Sequence, residues 1–135
     1  MTKKFWLSVV AVFLVSMVTD GLIHAAMLKA DYVALGPMYR GDEDQAGYMA
    51  YMLLAHVLLS VGFVWIYLKG REEQPWVMQG LRFGAAVALL ATIPGYLVYY
   101  AVQPLPGMLV AKQIVFSVVG VLLMGLTVAA INKKG

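Results

Sequence analysis

A chain of 135 residues with 62% hydrophobic and 13% charged residues and a mean hydropathy of +0.81 falls outside the ordinary soluble domains, in which about a quarter of residues are charged. Crossing a hydrocarbon core takes about 20 apolar helical residues, so this length supplies four spans and leaves no room for a soluble catalytic domain. The lack of cysteine excludes disulfides, thiolate metal sites, iron–sulfur ligation and covalent haem, and the net charge of +3 comes from basic residues at helix ends, which suits membrane topology better than nucleic acid.

The predicted fold is all-α, a single transmembrane domain over 1–135. Its first span, about 5–28, follows the basic Met1-Thr2-Lys3-Lys4. It is longer than the apolar core of a secretory signal, about 7–15 residues, and Asp20 interrupts it. The first loop, about 29–46, is the only one long enough to fold over a face of the bundle. Its acidic run Gly41-Asp42-Glu43-Asp44 lacks the alternating ligands and closing glutamate of an EF-hand and reads as solvated.

The second span covers about 47–68 and the third about 76–102, joined by the brief Lys69-Gly70-Arg71-Glu72-Glu73-Gln74-Pro75. The fourth, about 108–131, follows Gln103-Pro104-Leu105-Pro106-Gly107. Two prolines and a glycine enforce a tight reversal there, which makes the third and fourth helices antiparallel neighbours. No internal repeat is visible.

Lysine and arginine are retained on the cytoplasmic side. Lys3, Lys4, Lys69, Arg71, Arg82, Lys133 and Lys134 fall on one side, Lys29, Arg40 and Lys112 on the other, so both termini are expected to be cytoplasmic. Trp6, Trp65 and Trp76 at the inner interface and Tyr96, Tyr99 and Tyr100 toward the outer one agree with this. Arg82 is expected to snorkel to the inner headgroups.

Polar residues concentrate in the outer half. Ser16, Asp20 and His24 recur every four residues and share a helical face, flanked by Thr19; Met52, His56 and Ser60 form a similar stripe. At about 1.5 Å per residue, Asp20 and His56 lie at a similar depth of roughly 13 Å, with His24 roughly 6 Å nearer the outside. Lys112, Gln113 and the Tyr96, Tyr99, Tyr100 group are within reach, and Pro94 frees the carbonyl of Leu90. A charge inside a membrane costs at least about 2.5–3.5 kcal/mol and needs a partner. For Asp20 that partner is Lys112 or a protonated histidine; otherwise the carboxyl stays neutral.

Four roles fit this cluster. It fixes helix pairing through buried hydrogen bonds, handles protons or ions through Asp20 and the histidines, binds a metal through Asp20, His24 and His56, or holds a bis-histidine haem. Neither histidine belongs to an H-x-x-x-H or E-x-x-H pair, so the metal spacing is weak. Gly80, Gly84 and Ala88 on the third helix and Gly125 and Ala129 on the fourth are small-residue stripes that allow close helix approach, within the chain or against another protein. The nine methionines are read as apolar packing. No nucleotide-binding or hydrolase motif is present.

Gly80-Leu81-Arg82-Phe83-Gly84, the stretch from Pro94 to Tyr100 and the Gln103-Pro104-Leu105-Pro106-Gly107 turn resemble a group of small bacterial four-helix inner-membrane proteins. The likeness covers the second half best and extends loosely to the aspartate and histidine of the first helix. It implies the fold and a bacterial inner-membrane location, and no activity. The chain departs from the short multidrug exporters, which carry a glutamate in the first span, and from small fluoride channels with their glycine-rich entry motifs.

The economical expectation is a non-enzymatic accessory or scaffolding subunit of a homo-oligomer or larger inner-membrane complex, with the bilayer as partner, no nucleic acid and no cofactor. The alternative is a small proton-coupled transporter or channel using Asp20, His24 and His56. A membrane metal or haem protein is the third.

Overall fold

A computed structural model describes residues 1–134. Among them, four helices are long and apolar enough to cross a membrane: α1 (Lys3–Met27), α4 (Met49–Gly70), α5 (Trp76–Val102) and α6 (Gly107–Asn132). Two short helices, α2 (Lys29–Val33) and α3 (Asp42–Ala46), lie in the first loop. The long helices run about 33–40 Å at about 1.5 Å per residue. Thr2 caps α1, its Oγ1 accepting from the Phe5 amide at 3.2 Å. The expected spans hold to within two residues at each end.

Helix α6 packs against both α1 and α5, and α1 packs against α4. The fourth side is closed by rings: Phe83 of α5 meets Phe63 and Tyr67 of α4 edge-on, with centroids 4.8 and 5.3 Å away. Outward surfaces are apolar on every helix, with Leu14 and Val18 on α1, Leu58 on α4, Leu89 and Leu90 on α5 and Val115 on α6 all exposed. Such a surface suits lipid and is costly in water.

The two small-residue stripes meet each other. A Cβ on Gly80 would lie 2.7 Å from the Gly125 carbonyl oxygen and 3.0 Å from the Ala129 Cβ, and one on Gly84 would lie 3.0 Å from the Leu122 Cα. Gly125 is tighter still against the Gly80 carbonyl oxygen. Backbone thus replaces side chains as the α5–α6 interface.

The two halves of the bundle differ. Toward the end that holds the described termini, here the terminal end, Phe5, Val9, Val12, Val64, Met124, Val128 and Ala129 form a continuous apolar core. A polar tie closes it: Asn132 donates to Ser8 Oγ at 2.8 Å, Ser8 donates to the Lys4 carbonyl at 2.8 Å, and Arg71 donates to the Asn132 carbonyl at 3.2 Å. Asn132→Ala should lower stability by about 0.5–1.5 kcal/mol, the net worth of the lost bond, measurable by thermal unfolding in detergent. At the opposite, loop end, the core is smaller, Ile23, Leu28 and Leu109 with Tyr32, Leu35 and Phe116 beside them.

Two stretches depart from a regular α-helix. Residues Gly21–Met27 and Ala88–Thr92 are π-helical. The second ends just before Pro94 and widens the turn containing Leu90, the residue whose α-helical hydrogen bond the proline abolishes. Both π-helical stretches lie beside the polar half of the molecule.

Arg82 reaches toward the terminal-end loop, 3.6 Å from Glu72. The acidic run is solvent-exposed, in keeping with the solvated reading, and forms a short helix. Asp42, Glu43 and Asp44 occupy the first turn of α3, where carboxylates complement the helix dipole. Asp42 pairs with Lys29, and Asp44 with Arg40 at 2.9 Å.

Candidate functional site

Ser16 and Asp20, one helical turn apart on α1, both address His56 of α4. Ser16 Oγ lies 3.1 Å from His56 Nδ1, and Asp20 Oδ2 lies 3.4 Å from His56 Nε2. One consistent proton order starts from Ser16, whose hydroxyl donates to the Phe13 carbonyl at 2.8 Å. Ser16 Oγ therefore accepts from His56, and the histidine carries its proton on Nδ1. A neutral His56 then turns the bare Nε2 lone pair toward the Asp20 carboxylate. Two acceptors face each other unless a proton or another cation joins them. His56 is buried, whereas the Asp20 side chain is 42% exposed and open to a cavity.

His24 belongs to a second network. His24 lies in the π-helical stretch Gly21–Met27 and lines the same cavities as Asp20, but its hydrogen bonds go elsewhere. Its Nδ1 is 2.5 Å from the Tyr32 hydroxyl and its Nε2 is 3.4 Å from the Tyr96 hydroxyl. Gln113 donates to Tyr32 at 3.1 Å, and Tyr96 lies 3.0 Å from Ser117 Oγ. A consistent proton order runs from Gln113 to Tyr32, to His24, to Tyr96, to Ser117. Every member but one is then satisfied with His24 neutral. The exception is Gln113 Oε1, which is buried without a partner.

Lys112 does not reach Asp20. Its ammonium sits 3.2 Å from both carboxylate oxygens of Asp31, in the loop helix α2. Of the two partners expected for Asp20, the structure assigns the histidine. Tyr99 and Tyr100 are about half exposed. Tyr99 lines a lateral cavity, while the Tyr100 hydroxyl lies against Gly107 at the α5–α6 turn. Of the three tyrosines, only Tyr96 hydrogen-bonds within the cluster. Asp31 and Tyr32 are the residues that sequence reasoning missed. They lie 81 positions before Lys112 and Gln113, and no periodicity links a loop to a distant helix.

Two cavities meet at Asp20 and His24. The larger, about 530 Å³, runs between α1, α4 and the first loop and is lined by Asp20, His56, Lys29 and Asp42 among others. The smaller, about 360 Å³, lies on the α5 side among Thr92, Gly95, Tyr96, Tyr99 and Ser117. Among the described residues no three histidine or carboxylate groups come together to hold a metal ion, so His24, His56 and Asp20 do not assemble as a facial triad. The two histidines hydrogen-bond in separate networks.

Tyr32 lies outside the four long helices. Burial holds its hydroxyl above the ordinary value of 10.0, opposed by the bond from Gln113. An unfolded chain ionises this phenol first, so its stabilising contribution is whole below the ordinary value and is lost as pH rises through the higher folded one. The wild-type chain should therefore lose stability on the alkaline side more steeply than Tyr32→Phe, as read from unfolding temperature in detergent across that range.

The chain matches no protein-family model, and no curated protein or solved structure is similar to it.

Proposed function

We propose that the chain is a small multi-pass protein of a bacterial inner membrane that takes up and releases one proton at Asp20–His56, as the coupling step of a transporter. Support comes first from the approach of His56 Nε2 to Asp20 Oδ2 at 3.4 Å with Nδ1–H already donated to Ser16. One proton shared between two acceptors is the least costly state of such a pair in an apolar span. Histidine exchanges protons in the physiological range, and the half-exposed carboxylate opens to a cavity through which water can deliver them.

An apolar core fills the terminal half, and the larger cavity at Asp20 lies on the loop side of it. Transport then requires a second conformation open at the other end, and the π-helical turns at Gly21–Met27 and Ala88–Thr92 are suited to absorb the change. Seven of the ten lysines and arginines belong to the terminal end, which favours cytoplasmic termini and a vestibule open to the outside. A homo-oligomer fits the small bundle, because α5 is the least buried span and leaves an apolar face for a second copy. That face also favours the second reading, an accessory subunit of a larger membrane complex.

Proteoliposomes carrying an internal pH indicator test the proposal. Under an imposed pH gradient, the wild-type chain should move protons faster than empty vesicles. His56→Gln keeps an amide donor for Ser16 but has no titratable nitrogen, and flux should fall by about 10²–10⁴, the usual worth of a positioned proton-transfer group. Equal flux in a correctly inserted His56→Gln variant contradicts the proposal.

A further inference from the structure

We infer that the larger cavity binds a monovalent organic cation with an apolar body, which exchanges with the proton held by Asp20 and His56. The inference rests on the proton reading above and names the ligand class of the same site.

Charge supplies the first argument. Within the vestibule Lys29 pairs with Asp42, and these two charges cancel. Asp20 remains. His56 is its only polar partner among the described residues, and that contact joins two acceptors when the imidazole is neutral. An empty vestibule with both groups deprotonated thus carries one uncompensated negative charge in its lining. Either a proton or a ligand cation neutralises it, and each excludes the other.

The walls decide what kind of cation. Tyr32 and Tyr39 stack in parallel, with centroids 5.6 Å apart and 9° between their planes, and Met17, Met49 and Met52 are among the other lining residues. In the antiparallel α1–α4 pair, Ser16 and Asp20 both meet His56, which sets Met17 at the level of His56 and Met49 at the level of His24. Methionine and tyrosine offer polarizable, adaptable surface. Among the described residues no three histidine or carboxylate side chains come together to hold a metal ion, which favours an organic cation over an inorganic one. A volume of about 530 Å³ falls within the range of sites for drug-sized molecules. The chain's own ammonium already illustrates the chemistry: Lys29 Nζ lies 5.6 Å from the centroid of the Tyr39 ring while held by Asp42.

The neighbouring titratable groups leave Asp20–His56 as the exchanging pair. From α1, His24 is engaged by Tyr32 and Tyr96. From the loop, Tyr32, Tyr39, Lys29 and Asp42 bond to partners of their own. On the α5 side, Tyr96 bonds to Ser117 of α6, and Tyr99 lines the lateral cavity. Lys112 of α6 is held by Asp31.

Tetraphenylphosphonium, a monovalent cation with an apolar body, is the probe. Equilibrium dialysis against the intact chain in lipid nanodiscs should give saturable binding that weakens by about tenfold per pH unit on the acid side, as one proton competes for one site. Asp20→Asn should weaken binding at least about tenfold, the cost of removing a desolvated charge partner. Met52→Trp fills the vestibule without altering its charge and should weaken binding of the probe at least about tenfold. Absence of binding while wild-type proton uptake persists, or binding indifferent to both Asp20→Asn and Met52→Trp, overturns the inference and leaves the proton reading standing. Binding lost in Asp20→Asn yet constant across pH overturns the exchange and counts against the proton reading too.

Discussion

Asp20→Asn should reduce pH-driven proton movement to the level of empty vesicles while the protein still inserts and folds. The carboxamide has nearly the same shape, and its amide can donate to the bare Nε2 of His56 at the position where Asp20 Oδ2 now lies, 3.4 Å away. The bond between α1 and α4 thus survives, converted from one that needs a shared proton into one that holds a permanent donor. Removing a carboxylate from an apolar span also relieves a cost of at least about 2.5 kcal/mol, so the variant should be as stable as the wild type or more so. Stability and flux then move in opposite directions. A purely structural hydrogen bond would instead leave flux unaffected, and a folding defect would lower both. Flux in proteoliposomes, read beside thermal unfolding in the same lipid, separates the three cases.

Gly125→Leu should have the largest effect on the fold. A Cβ at Gly125 meets the Gly80 carbonyl oxygen and lies 3.1 Å from the Gly84 amide nitrogen. These are backbone atoms of a facing helix, which cannot rotate away as a side chain does. Overpacking a tight contact costs about 1–3 kcal/mol when neighbours adjust, and occasionally more. Here the adjustment is a separation of α5 from α6 along their closest approach. Loss of the folded fraction in mild detergent, with Ala substituted at an exposed position such as Leu90 as control, measures it. A Gly125→Leu chain as stable as wild type would show that α5 and α6 do not pack through this stripe.

The sequence carries the scaffold in patterns that need only one helix to be read. Four apolar runs, the proline-rich reversal at residues 103–107 and the small-residue stripes each follow from composition or a short spacing, and α5 and α6 pack as that spacing anticipates. The Ser16–Asp20 stripe and its approach to His56 were legible for the same reason, because regular helices convert spacing into faces and length into depth. The split of the cluster into two networks was not. It depends on Tyr32 and Tyr96 reaching the two ring nitrogens of His24, and no spacing within the first helix announces partners from a loop and a distant span. Asp31 and Tyr32 were equally hidden, because a loop returning onto α6 is selected by tertiary contacts with Lys112 and Gln113. Lys112 was consequently matched to the wrong set of candidates, since the nearer carboxylate lay in a segment without periodicity.

The most direct measurement is the infrared difference spectrum of the chain in lipid between about pH 5 and 8, the interval in which histidine changes charge. One exchangeable proton shared by Asp20 and His56 predicts a single titration step with linked carboxyl and imidazole bands, both absent in Asp20→Asn. A carboxyl and imidazole spectrum that stays constant across this interval, or that titrates unchanged in Asp20→Asn, would contradict the account.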